Sequence, residues 1–305
     1  MRFSHILQAV RRKDVDVTPD YGCLEADAFD HELEAYAMAN AVPVEALHLR
    51  KEQDAPVIDF GSLDEFFVSR EYRYNLGSPK FSWRKYGEYF YNQKSLGSCT
   101  GHAAAHAFMA SNRHIKLHDG SVSVKDINPI GAWYRSKNWS TRGGQSVARM
   151  AAEVNEFGNT PESEIGKNNT QPNRQKIEAA SKSASLNQSG ICFFTPTAEN
   201  IIKFTRSGIG CFIGNRLRVS GTEIDKNGLR VPKFSGSWAH ATAFTDNVYH
   251  NGVDYVFWLN SWGPIYNVVD LYGAPAWGCW MTRNHLSEFL KTAGSYGNGV
   301  AVFAE

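Results

Sequence analysis

The stretch Asn92-Gln93-Lys94-Ser95-Leu96-Gly97-Ser98-Cys99-Thr100-Gly101-His102-Ala103-Ala104-Ala105 decides how this chain is read. A Gly-Ser turn runs directly into a cysteine, and small helix formers follow through Ala107 and Ala110. This predicts a buried helix that starts near Cys99 and runs to about Ile115. Unpaired N–H groups and the helix dipole at a first turn favour an anion, so a thiol there is biased towards thiolate, its nucleophilic form. Gln93, six positions upstream, is spaced to offer a side-chain N–H to a developing oxyanion. A lone cysteine at a helix start more often packs as a small buried residue. Two further stretches must agree with it before a catalytic reading wins.

Length and composition bound the choices. The 305 residues leave room for one large domain, or one domain plus an extension. Hydrophobic residues at 42% and charged residues at 21% are ordinary for a soluble globular chain with a sizeable core. The formal charge of +1, with acids and bases interspersed, argues against a dedicated nucleic-acid binder. No apolar run reaches membrane-spanning length. At the N-terminus the basic run Arg11-Arg12-Lys13 follows the apolar Ile6, Leu7 and Val10, the reverse of a secretory signal. The five cysteines, Cys23, Cys99, Cys192, Cys211 and Cys279, are odd in number, and none is paired at metal-ligand spacing. A reducing setting is expected, cytoplasmic or within a viral or protein assembly, with no membrane or nucleic-acid partner, no cofactor and no metal.

Along the chain, residues 1–80 form a first region of short amphipathic pieces. Phe29, Leu33, Tyr36 and Ala37 recur at helical spacing, and Ser62-Leu63-Asp64-Glu65 has capping-box form. Gly77-Ser78-Pro79 is a break, so the expected division is an extension over 1–80 and a main domain over 81–305. In the main domain, Val147, Met150, Ala151 and Val154 share a helix face, with Gly158 beyond its end. The polar segment near Arg174 to Ala184 reads as a solvated helix, and His114 and His118 read as exposed helix-end residues. From Ile191 the pattern changes to strands. Asp225-Lys226-Asn227-Gly228 and His250-Asn251-Gly252 are hairpin turns. The domain is therefore expected to be helical over 81–190 and antiparallel over 191–305.

The hairpin at Asn251-Gly252 brings His240 and Asn260 to the same end of two paired strands. An imidazole beside a thiol can take its proton, and an amide oxygen on the ring's other nitrogen fixes the tautomer. The spacing of Cys99, His102 and His106 also invites a zinc reading, but the downstream His and Asn favour catalysis. Trp258 and Trp280 are expected in the core.

These motifs resemble the papain-like cysteine peptidases. The resemblance rests on Trp83-Arg84-Lys85, Gln93, Gly97-Ser98-Cys99, Gly143-Gly144, His240-Ala241 and Asn260-Ser261-Trp262-Gly263, and covers about Phe81 to Phe303. It implies an α+β fold with a helical half, an antiparallel β-barrel-like half and the active-site cleft between them. It implies that Cys99 is the nucleophile, His240 the base and later acid, and Asn260 the residue that orients His240. Gln93 would complete an oxyanion hole with the Cys99 backbone N–H. Trp262 would shield the Asn–His bond, and Gly143-Gly144 would pair with substrate backbone. Ala239, a small residue beside His240, would leave room in the cleft. Thr100 and Leu96 depart from the family, which often has Trp and, in secreted members, Cys at those places. The chain reads as a divergent intracellular or viral-type member with an N-terminal extension, either prosegment-like in contact with the cleft or docking to a larger assembly. The expected activity is hydrolysis of polypeptide through a thioester acyl-enzyme. A binding or assembly protein on the same fold, and an amidase or acyl transferase on a non-protein amide, are the alternatives.

Overall fold

The computed structural model describes residues 81, 83–84 and 87–304, apart from 119, 138, 141–142, 168–172 and 188. The expectations for residues 1–80 lie outside the described residues.

The described chain begins with helices: α1 (Cys99–His118), α2 (Pro129–Ser136), α3 (Val147–Glu156), α4 (Glu162–Ile165) and α5 (Arg174–Ala180). Strands follow: β1 (Ser189–Phe194), then α6 (Ala198–Arg206), β2 (Cys211–Ile224), β3 (Arg230–His250), β4 (Val253–Leu259), β5 (Gly278–Thr282), α7 (Arg283–Phe289) and β6 (Gly299–Ala304). The strands form one antiparallel sheet in the order β1-β6-β2-β3-β4-β5. This is the expected α+β arrangement, with one difference. The sheet is open, with β1 and β5 at its edges, and does not close into a barrel.

The open sheet is stable because both faces are covered. Alternate side chains point to opposite faces of a strand. Tyr255, Phe257 and Leu259 of β4 join the core shared with α1, while Val256 and Trp258 join the core shared with α6 and α7. Val300 and Val302 of β6 divide from Ala301 and Phe303 in the same way. Burying both faces explains why these strands read as continuous apolar runs instead of alternating ones.

Helix α1 is the central piece. Ala103, Ala104, Ala105, Ala107 and Ala110 are all buried, so their small side chains let the helix lie close to the sheet. Polar groups fix its position. The Ser111 hydroxyl donates to the Val302 carbonyl (2.6 Å) and accepts from the Gly210 N–H (2.8 Å). His114 is buried, not exposed as its place near the helix end suggests. Its Nε2 lies 3.1 Å from Asp246 Oδ1, at an irregularity in the β3–β4 register. A buried carboxylate needs such a partner. Helix α3 matches its sequence reading, capped by Ser146 and followed by Gly158 at φ 75°. Helix α5 is shorter than expected and only partly solvated, since Ile177 and Ala180 are buried.

Candidate active site

Two features of the backbone build the site. The first is the entry to α1. A Cβ on Gly97 would stand 2.8 Å from the Gly143 carbonyl oxygen and 3.6 Å from the Gly144 nitrogen. Only glycine allows this approach, so the sequence Gly97-Ser98-Cys99 sets Gly143-Gly144 beside the start of α1. The second is the β3–β4 hairpin. Asn251 at φ 49° and Gly252 at φ 78° make its tight turn, and the pairing Ala243↔Leu259 carries His240 and Asn260 to its far end together.

His240 Nε2 lies 2.8 Å from Asn260 Oδ1. The amide oxygen accepts, so the ring proton is on Nε2 and Nδ1 is left as an acceptor. Asn260 is itself fixed. Its Oδ1 also accepts from the Ser261 N–H (2.7 Å), and its Nδ2 donates to the Tyr266 hydroxyl (3.3 Å). The ring of Trp262 lies against His240 at 4.5 Å between centroids, tilted by 34°. Trp238 lies 4.9 Å from both His240 and Trp262, so the imidazole has two indole neighbours.

Gln93 is joined to the same motif. Its N–H donates to the Ser261 carbonyl (2.8 Å), its Oε1 accepts from the Ser261 hydroxyl (2.5 Å), and its Nε2 donates to the Leu96 carbonyl (2.9 Å). An amide nitrogen has two hydrogens. With Oε1 and one hydrogen held, the second hydrogen has a fixed direction.

Cys99 opens α1 and is completely buried. Burial pushes its thiol up to about 11, against the pull of the backbone N–H groups of Ala241, Thr100 and Cys99 and of the Lys137 charge. The thiolate bias expected from a helix start is therefore outweighed by loss of solvent. Burial likewise lowers His240 to about 4, against the Asn260 hydrogen bond, so its imidazole is neutral near pH 7. At rest, then, Cys99 is a thiol within reach of the Ala241 amide, and His240, the residue before Ala241 on β3, is a neutral ring with Nδ1 as an acceptor.

The other sequence candidates fall as follows. Ala239 is half-buried beside His240 and packs against the core. His102 Nδ1 donates back to the Ser98 carbonyl (2.9 Å), and His106 Nε2 accepts the Tyr91 N–H (3.1 Å). Both rings are buried in packing, and among the described residues no group of three His, Cys, Asp or Glu could hold a metal ion. The four described cysteines are free and buried. Trp258 and Trp280 are core residues. Sequence reasoning gave no role to Ser261, Tyr266, Trp238 or Lys137. Ser261 lies inside a motif already singled out, and Trp238 shares a strand face with His240 at a spacing of two. Tyr266 and Lys137 sit in segments without periodicity, where sequence carries no signal of direction.

No family model matches the sequence, and no curated protein matches it. Solved structures do match. Xylellain, a cysteine protease from Xylella fastidiosa, superposes with a TM-score of 0.51 at 15% identity, covering 94% of this chain and 98% of its own. The proform of Amb a 11, a cysteine protease and major ragweed pollen allergen, gives 0.52 at 15%, over 99% of this chain and 79% of its own. Bromelain from Ananas comosus gives 0.51 at 14%, over 75% of this chain and all of its own. At these identities the likeness is one of fold. Among the described residues, no helix is long and apolar enough to cross a membrane. The chain therefore has the papain-like α+β fold that these cysteine proteases share.

Proposed function

We propose that this chain is a cysteine peptidase that cleaves peptide bonds through Cys99. The observation that carries the reading is the His240–Asn260 bond of 2.8 Å, which leaves Nδ1 open on the strand whose next amide, Ala241, acts on the Cys99 sulfur. In the proposed path, His240 Nδ1 takes the thiol proton while the sulfur attacks the peptide carbonyl carbon. The oxyanion is held by the Gln93 side-chain N–H and the Cys99 backbone N–H. The C–N bond breaks as His240 returns the proton to the leaving amine. Water then attacks the thioester with His240 as base, releasing the acid and restoring the thiol.

The test is digestion of a denatured protein mixture by the wild-type chain and by Cys99→Ala, with the product masses compared. New termini should arise with the wild type alone. Indistinguishable product patterns would overturn the reading and leave a binding protein on this fold. Given cleavage, Gln93→Ala should lower kcat by about 10²–10³, the usual cost of losing one oxyanion donor, with a much smaller change in KM. An unchanged kcat would remove Gln93 from the oxyanion site.

A further inference from the structure

His240 is held by more than its amide partner, and the hold begins in the strand opposite it. Asn215 of β2 is completely buried and pairs directly with His240 of β3. The next pair is Leu217↔Ser237, so β3 takes three steps where β2 takes two. That bulge falls at Trp238-Ala239, and a bulge beside an active site re-aims the side chains it carries. The Trp238 indole lies 4.9 Å from the His240 ring between centroids, its plane tilted by 60°. Its Nε1 donates to Asn215 Oδ1 (3.2 Å), and Asn215 Nδ2 donates to the Leu217 carbonyl (3.0 Å), so the Asn215 amide is used at both ends. The indole also stacks on the core residue Trp258, at 6.3 Å and 18°. Trp238 is thus tethered at its nitrogen and packed along its ring.

Trp262 meets Trp238 at 88°, with ring centroids 4.9 Å apart, and lies 4.5 Å from His240. The two indoles therefore form a right-angled corner, and the imidazole packs against both of its walls. A corner of this kind supplies what one hydrogen bond cannot. The outer torsion of a histidine is broad, and the bond from Nε2 to Asn260 fixes one point of the ring. Proton transfer from Cys99 needs the direction of Nδ1 as well, and a misplacement of about 1 Å can cost about 100-fold in rate. We propose that Trp238 is a positioning residue: tethered by Asn215, it completes with Trp262 the corner that holds the His240 ring in the orientation that proton transfer requires. The proposal rests on the reading of His240 as the base for Cys99, and the thiol reports it without turnover.

The test compares Cys99 alkylation by iodoacetamide at pH 7 in wild type, Trp238→Leu, His240→Ala and the double variant, with kcat and KM for peptide cleavage measured alongside. Trp238→Leu should slow alkylation about tenfold where His240 is present and leave it unchanged in the His240→Ala background, because the indole acts on the sulfur only through the ring. Loss of bulk alone would do the opposite, opening the buried thiol to the reagent and raising the rate in both backgrounds. On peptide, kcat should fall about 10- to 100-fold with little change in KM. Trp238→Phe keeps an aromatic ring and loses the N–H to Asn215. It should show the same dependence on His240 at about fivefold, the scale of one lost hydrogen bond, and it carries the comparison if the leucine variant does not fold. A change of equal size in both backgrounds, or no change with His240 present, would overturn the proposal. An alkylation effect that depends on His240 without any Cys99-dependent cleavage would keep Trp238 as the positioning residue and overturn the peptidase reading instead.

Discussion

His240→Ala is expected to lose kcat/KM for peptide cleavage on the order of 10⁴-fold near neutral pH. The magnitude follows from the site. With its thiol raised to about 11 by burial, Cys99 unaided would carry thiolate in about one molecule in 10⁴ at pH 7. In the proposed path only a base in place makes the sulfur useful, and His240 Nδ1 takes that role because Asn260 holds the other nitrogen's proton. The pH profile carries the sign. His240 must be neutral to accept, and burial has lowered it to about 4. Wild-type activity should therefore rise as pH climbs through about 4 and stay level across neutral pH. In His240→Ala the residual rate should instead rise about tenfold per pH unit into the alkaline range, as the thiol ionises alone. Rates of Cys99 alkylation by iodoacetamide between pH 3 and 10 give the same comparison without substrate. Parallel profiles for the two proteins would remove His240 from the role of base.

Much of this site is legible in the sequence because short-range rules write it. Asn251-Gly252 specifies a tight hairpin, and a tight hairpin fixes which residues meet at its open end, so the sequence alone pairs His240 with Asn260. Gly97-Ser98-Cys99 announces a helix start in the same local way. What sequence does not carry is whatever depends on surroundings assembled from distant segments. The thiol at the start of α1 has the backbone environment expected of a thiolate, but it is completely buried, with the β3 amide of Ala241 on it, and burial reverses the direction of its shift. His114 sits in the last turns of α1, where a polar residue is usually solvated. It is buried because Asp246, 132 residues away, needs a partner at the same depth. Closure of the sheet is not a local property either. Helices α1, α6 and α7 cover both faces, so an open sheet exposes only its edges.

The loop between Asn260 and β5 depends on distant partners in the same way, and there the dependence sets stability. Replacing Arg230 with methionine is expected to cost about 3–5 kcal/mol, the scale of removing one partner from a buried charged cluster. Residues 264–277 contain no helix or strand, and they turn apolar side chains outward: Ile265, Val269 and Leu271 are all more than half exposed. Apolar burial therefore holds only part of this loop, at Tyr266 and Ala274 and where Tyr272 and Trp277 pack on the core. Arg230, buried at the start of β3, holds its backbone. Its guanidinium donates to the carbonyls of Gly278 (2.9 Å), Tyr266 (2.8 Å), Val268 (2.6 Å), Ala274 (2.9 Å) and Pro275. Asp270 supplies the opposing charge and accepts from the Trp280 indole and the backbone of Tyr272 and Ala274. Methionine fills similar volume and leaves those carbonyls without a donor. Arg230→Lys should recover little of the loss, since a compact ammonium cannot reproduce a planar five-donor fork. Urea unfolding of the three proteins measures this directly, and a loss below about 1 kcal/mol for Arg230→Met would show that the loop is held some other way. The same cluster reaches the chemistry through Tyr266, whose carbonyl is bound by Arg230 and whose hydroxyl accepts from Asn260. A variant that stays folded at low temperature should therefore also lose kcat, because the amide that orients His240 has lost the anchor of its own partner.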